Sequence, residues 1–126
     1  MFIINTKISG KIQVRLVNGP SSSSGRVEIL HNNIWGTVCS DHFGWPDAHV
    51  VCKQLGFPKA TYYGYYFGVG SGQIWLDDVY CQGNELSLAS CSHPGWGIHN
   101  CHHGEDISVG CYDGTLLLYC TLYRVI

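Results

Sequence analysis

Charge is the scarcest ingredient of this chain. Only 13% of its 126 residues are Asp, Glu, Lys or Arg, against 45% hydrophobic, about half the charged share of an ordinary soluble domain. A solvated disordered chain shows the opposite balance, so the composition implies one compact domain. Basic residues are few and scattered: seven Lys and Arg against nine Asp and Glu, a net charge of −2, with no basic run. Phosphate recognition needs a basic face, so nucleic acid is not expected as the main ligand; a local patch for polyanions remains compatible with these numbers. No stretch approaches the roughly 20 apolar residues that cross a bilayer. The start, Met1 to Lys7, is too short in apolar residues to form the core of a secretory signal.

Close cysteine pairs are also missing. The chain has seven cysteines, Cys39, Cys52, Cys81, Cys91, Cys101, Cys111 and Cys120, and no two are nearer than nine residues. Structural zinc sites bring ligands in pairs two to four residues apart, which weighs against zinc although His99, His102 and His103 crowd around Cys101. Six cysteines within 73 residues instead read as a disulfide framework from an oxidising compartment. That reading conflicts with the missing signal. The expectation that reconciles them is a fragment of a longer secreted or membrane-anchored chain.

Periodicity outlines an α+β fold. Residues 1–11 form a poorly specified lead-in, 12–112 the domain, and 113–126 a tail or linker that carries the odd Cys120. Ile12, Val14 and Leu16 alternate with polar residues, the period of a strand with one buried face. Val27–Leu30 and Ile34–Cys39 flank His31-Asn32-Asn33 and predict a β-hairpin. Trp45-Pro46-Asp47 opens the one convincing helix, with Ala48, Val51, Cys52 and Leu55 on one face, Gly56 to close it and Pro58 to forbid its resumption. Residues 61–72 are Tyr- and Gly-rich, a strand or long loop over the core or an aromatic surface for stacking sugars. Gln73–Leu76 and Ile107–Cys111 read as further strands, and Glu85–Ser90 as a single helical turn.

These residues resemble the scavenger receptor cysteine-rich domains from about Val14 to Cys111, some four-fifths of the chain. The marks are Val14-Arg15-Leu16-Val17-Asn18-Gly19, Gly25-Arg26-Val27-Glu28-Ile29-Leu30, Trp35-Gly36-Thr37-Val38-Cys39, Val51-Cys52-Lys53-Gln54-Leu55-Gly56 and Ile74-Trp75-Leu76-Asp77-Asp78-Val79. Trp96-Gly97 and His99-Asn100-Cys101, with Glu105-Asp106 before Cys111, complete them. The resemblance is to the six-cysteine form, because Ser23 and Phe57 stand where the eight-cysteine form has its two extra cysteines. It implies a curved, mostly antiparallel sheet cradling one main helix. It also implies the pairs Cys39–Cys101, Cys52–Cys111 and Cys81–Cys91, one choice among the 15 that six cysteines allow. Each bridge would contribute roughly 2–4 kcal/mol.

Acidic residues recur where loops should converge: Asp41, Asp47, Asp77, Asp78, Glu85, Glu105 and Asp106. Facing oxygen ligands suit Ca²⁺ or Mg²⁺. Metal-binding relatives place two adjacent aspartates after the cysteine matching Cys39, together with a later glutamate. Here Ser40-Asp41 follows, so one carboxylate is a hydroxyl, and the resemblance implies a first site of Asp41 and Glu105. A second maps to Asp77, Asp78 and Asn100. The competing reading is that these acids cap turns and pair with Lys or Arg, and Asp106 is expected to be structural. Some relatives bind bacteria through the segment matching Arg26 to Trp35; Val27 and Ile29 read as core, whereas alternation would let Arg26 and Glu28 face a ligand.

Catalytic patterns do not assemble. Cys101 lies beside His102 and His103, but a disulfide-bonded sulfur is no nucleophile. No nucleophile elbow, zinc-protease helix or phosphate loop is present. The expected function is an extracellular, non-enzymatic recognition module of scavenger or innate-immune type, binding polyanionic, microbial-surface or protein ligands, with Ca²⁺ as the one cofactor considered. The alternatives are an accessory domain of a larger secreted serine protease or amine oxidase, and a protein–protein adhesion module.

Overall fold

A computed structural model describes residues 13–114. The lead-in, nearly all of the expected tail, and Cys120 lie outside the described residues. In chain order the elements are β1 (Val14–Asn18), β2 (Ser24–His31), β3 (Ile34–Val38), helix α1 (Trp45–Gln54), β4 (Ala60–Gly64), β5 (Ile74–Leu76) and β6 (Ser108–Cys111). Short 3-10 turns span Leu88–Ser90 and His103–Glu105. The strands form one sheet in the order β4-β6-β2-β3-β5, with β1 paired to β2 as well. Every pairing is antiparallel except β3 with β5, which is parallel. This is the α+β architecture that the periodicity predicts and the curved, mostly antiparallel sheet that the resemblance implies, with one parallel edge added.

Local chemistry explains the elements. Asn32 and Asn33, between β2 and β3, have φ of 51° and 64°, the two left-handed residues that a two-residue hairpin turn requires and that Asn tolerates. At the start of α1 the N-cap is Gly44, which has no side chain to offer, so Asp47 supplies the cap. Its Oδ2 accepts the Gly44 N–H at 2.8 Å, and its Oδ1 accepts the Cys81 N–H at 2.6 Å. One carboxylate thus anchors both the helix start and the loop that enters the third disulfide. Burial pushes the Asp47 carboxyl upward; the two N–H bonds oppose this without cancelling it. Gly56, at φ +98°, ends the helical path.

The inner face of the sheet packs on α1 around Val27, Ile29, Val38, Val51, Leu76, Ile107 and Val109. Burying each such side chain stabilises the fold by about 1.5–3 kcal/mol. Bridges Cys39–Cys101, Cys52–Cys111 and Cys81–Cys91 form as the resemblance implies. Cys52–Cys111 ties α1 to β6, the link expected from a cysteine on the buried helix face.

Strand β2 departs from expectation. Alternation does separate Val27 and Ile29 from Arg26 and Glu28, but the second face is not open to solvent. Arg26 is 5% exposed and Glu28 8%. Glu28 is held by Arg15 at 2.7 Å on one oxygen and by Arg26 at 3.2 Å on the other. Arg26 also donates to the Phe67 carbonyl at 3.2 Å. The chain after β4 crosses this face, and Gly70 is essential to the crossing because a Cβ there would press on Thr37, Arg26 and Asp106. The exposure expected for Arg26 and Glu28 is therefore corrected: their charges are spent on each other and on the crossing loop.

Candidate functional site

The parallel pairing of β3 with β5 builds the candidate site. Both strands point the same way, and the Cys39 N–H donates to the Leu76 carbonyl at 2.8 Å. The segments leaving them, Ser40-Asp41-His42 and Asp77-Asp78, therefore emerge side by side. The Cys39–Cys101 bridge brings a third segment, His99-Asn100-Cys101, against both. Carboxylate oxygens of Asp41 and Asp77 and the two sulfurs of that bridge all lie within 4.8 Å of one another. The sulfurs, being bonded to each other, offer no thiolate, so the donors are oxygens.

Asp77 is the inner wall. It is 2% exposed, and its Oδ1 is buried with no hydrogen-bond partner. Its Oδ2 accepts the Asn100 N–H at 3.4 Å. The Asn100 amide satisfies its neighbours with its nitrogen turned inward. With nitrogen inward it donates to Asp41 at 3.3 Å and Asp77 at 3.2 Å. Among the described residues no Lys or Arg pairs with Asp41 or Asp77; their polar partner is Asn100.

His42 and Asp78, the residues after the two carboxylates, both occupy the left-handed region, at φ 63° and 53°. Each costs roughly 1–2 kcal/mol for a non-glycine residue. They face each other, His42 Nε2 to Asp78 Oδ1 at 3.6 Å. Two strained turns thus fix the direction of Asp41 and Asp77 and carry Asp78 outward to His42, away from the oxygen cluster.

Glu105 also stays apart. The loops do meet, since the Ser40 N–H donates to the Glu105 carbonyl at 2.8 Å. The Glu105 carboxylate, however, turns back to accept the His102 N–H at 3.0 Å, capping its own 3-10 turn. The structure therefore combines Asp41 from the first expected group with Asp77 and Asn100 from the second, leaving Glu105 and Asp78 outside. Asp106 is structural, as expected: buried, it accepts the Gly70 N–H at 2.7 Å and faces His103 Nδ1 at 2.9 Å.

Sequence reasoning did not single out Tyr65. Beyond β4 the aromatic run splits by alternation. Tyr66 folds back with Tyr62 and Phe67 around a shallow concavity of about 520 Å³. Tyr65 goes to the other side, where its hydroxyl bonds Ser40 Oγ at 2.9 Å. The signal was the same Tyr-rich run; what was missing was the contact with residue 40.

A sheet around one helix, stapled by three disulfides, defines a class of extracellular cysteine-rich module. The scavenger receptor cysteine-rich domain model matches residues 17–112, and the chain belongs to that family. It is 50% identical over 99 residues to the macrophage receptor MARCO of Mesocricetus auratus, covering 79% of this chain and 20% of that protein. It is 46% identical over 110 residues to lysyl oxidase homolog 2 of Xenopus laevis, covering 85% and 14%. The chain thus spans a fifth or less of either relative. The crystal structure of the third such domain of murine neurotrypsin superposes with a TM-score of 0.71 at 44% identity, covering 80% of this chain and 96% of that one. The family matched is a receptor-type domain, not a catalytic one.

Proposed function

We propose that this chain is an extracellular recognition module that binds anionic groups, on proteins, microbial surfaces or other polyanions, with the help of a divalent cation held by Asp41, Asp77 and Asn100. The buried, partnerless Oδ1 of Asp77 supports this reading most strongly. A buried carboxylate oxygen without a donor is costly; Asp106 Oδ1 shares that state, but Asp77 has a second carboxylate, Asp41, within 4.8 Å, the start of an oxygen set that a hard cation takes. Ca²⁺ suits two carboxylates and an amide carbonyl; when bound it supplies positive charge to an otherwise acidic notch. Asp77 is the fixed inner donor, Asp41 the half-buried outer one, and Asn100 the switchable one. With two charged ligands the affinity falls in the extracellular range, with Kd of about 10⁻⁴–10⁻³ M.

Isothermal calorimetry with CaCl₂ on the full chain tests the site: a heat with that Kd is expected, lost in Asp41→Ala. Binding of a polyanion should fall in EDTA. No calcium heat, together with EDTA-insensitive polyanion binding, overturns the proposal. The likeness to lysyl oxidase homolog 2 favours a second reading, an accessory domain beside a catalytic one. The full-length gene decides between them.

A further inference from the structure

We propose that Tyr62, Tyr66 and Phe67 form an aromatic corner that binds a quaternary ammonium of choline type. This goes beyond the cation-assisted reading and does not depend on it. The corner is built on and just after β4, at the opposite edge of the sheet from β5, which leads into the Asp41–Asp77 notch. The three rings line the concavity of about 520 Å³, a volume in the range of small-molecule sites. No two of them are parallel. Tyr62 and Tyr66 meet at 86° with centroids 5.5 Å apart, Tyr62 and Phe67 at 47° and 6.1 Å, and Tyr66 and Phe67 at 63° and 6.4 Å. Planes inclined in this way bound a corner rather than a stack, so an occupant meets ring faces from more than one side.

Each ring is held in place. Tyr62 lies on Gly110, which has no Cβ to push it off, and its phenol is hydrogen-bonded to the Ser24 side chain. Tyr66 leans on Gly64, where a Cβ would meet its ring at 2.8 Å. The Phe67 carbonyl accepts Arg26 Nη1 at 3.2 Å. A corner formed before the ligand arrives costs little ordering on binding.

The chemistry of the lining selects the occupant. Aromatic faces carry a negative quadrupole and attract cations. The chain's own cations are placed elsewhere: among the described residues those over rings are Arg15 on Trp35 and Lys59 on Tyr112, and the buried Arg26 guanidinium is paired with Glu28. A lysine ammonium brings three N–H donors that need oxygens, and no carboxylate or amide side chain lines the corner. A quaternary ammonium has no N–H to satisfy, and its methyl groups cover several ring faces at once.

The test titrates the full chain by NMR with phosphocholine, phosphoethanolamine and 3,3-dimethylbutyl phosphate, each in calcium and in EDTA. All three carry the same phosphate; the second has a primary ammonium and the third a neutral tail of the same shape. Phosphocholine should bind about tenfold more tightly than either, equally in calcium and in EDTA. Tyr66→Leu keeps an apolar side chain without the quadrupole and should lose about tenfold, whereas Tyr66→Phe should stay within about twofold. Tyr66 is 71% exposed, so both variants should fold, with melting temperatures near that of the parent. Phosphatidylcholine vesicles separate the two sources of the head group: sedimentation of the parent but not of Tyr66→Leu assigns a lipid-borne one, binding of phosphocholine alone a free one. Equal binding of the neutral isostere would mark an ordinary apolar pocket, and equal binding of phosphoethanolamine a general attraction for cations. Either result overturns the proposal, as do full binding by Tyr66→Leu, binding abolished by EDTA, and no phosphocholine binding by the parent.

Discussion

Replacing Asp77 by Asn should change stability in opposite directions with and without calcium. In the parent, two carboxylates whose oxygens lie within 4.8 Å share a notch. At an effective dielectric of about 20 that repulsion is about 3 kcal/mol; solvent at the half-buried Asp41 leaves about 1–2 kcal/mol. The Asp77→Asn change removes one charge, keeps an acceptor for the Asn100 N–H and adds a side-chain N–H able to donate to Asp41. The calcium-free variant should therefore be more stable than the parent by about 1 kcal/mol. Calcium at ten to a hundred times Kd should stabilise the parent by about 1.4–2.7 kcal/mol and the variant by almost nothing. At about 4 °C per kcal/mol for a domain near 100 residues, the parent's Tm rises by roughly 6–11 °C and the two melting curves exchange order. Scanning calorimetry with disulfides intact reads this directly. A variant that keeps the parent's calcium shift, or that loses more than about 2 kcal/mol in EDTA, would refute the reasoning.

Three further outcomes follow from the packing. Removing the Cys52–Cys111 bridge, which closes 59 residues, should cost about 4.3 kcal/mol in urea unfolding, against about 2.7 kcal/mol for Cys81–Cys91, which closes ten; equal losses would deny the loop-entropy account. Gly110→Ala would drive a Cβ into the Tyr62 ring across β4–β6 and should cost about 1–3 kcal/mol, with Tyr62→Ala restoring part of it in a double-mutant cycle. Burial lowers the His103 pKa, but the Asp106 hydrogen bond, the Gly72 carbonyl and the Asp106 charge outweigh burial and the opposing Arg26, for a net rise. A folded-state pKa above the ordinary imidazole value of about 6.5 means stability fully present below that value and lost as pH rises through the folded one. Urea midpoints should accordingly fall in the parent as pH rises above about 6.5, and His103→Gln should flatten that fall.

The fold was legible wherever its determinants are local. The two asparagines of the β2–β3 turn, Pro46 and Asp47 at the start of α1, and Gly56 at its end each act within a few residues, and the elements lie where those residues put them. The bridges were legible only through the resemblance, since spacing by itself leaves every pairing open. What was not legible is the second covering of β2. Alternation says which side chains share a face, not what lies over it. Arg26 and Glu28 obey the alternation and are still buried, because a glycine-permitted crossing some 40 residues later lies over them.

The notch was half legible for a related reason. Asp41, Asp77 and Asn100 were each recognisable as oxygen donors, but they were divided between two groups. Their partnership depends on β3 and β5 lying parallel, a contact between residues nearly 40 apart that no short-range pattern encodes. Glu105 and Asp78 have other partners: the His102 N–H three residues from Glu105, and, across the same parallel strands, the His42 ring facing Asp78. A carboxylate with a donor three residues away is satisfied before any distant loop arrives. Among the described residues Asp41 and Asp77 have no donor so close, and Asp77 is buried where the Cys39–Cys101 bridge brings Asn100 against it. The cation proposed above belongs where local chemistry leaves an acceptor unanswered, and sequence spacing alone does not locate that place.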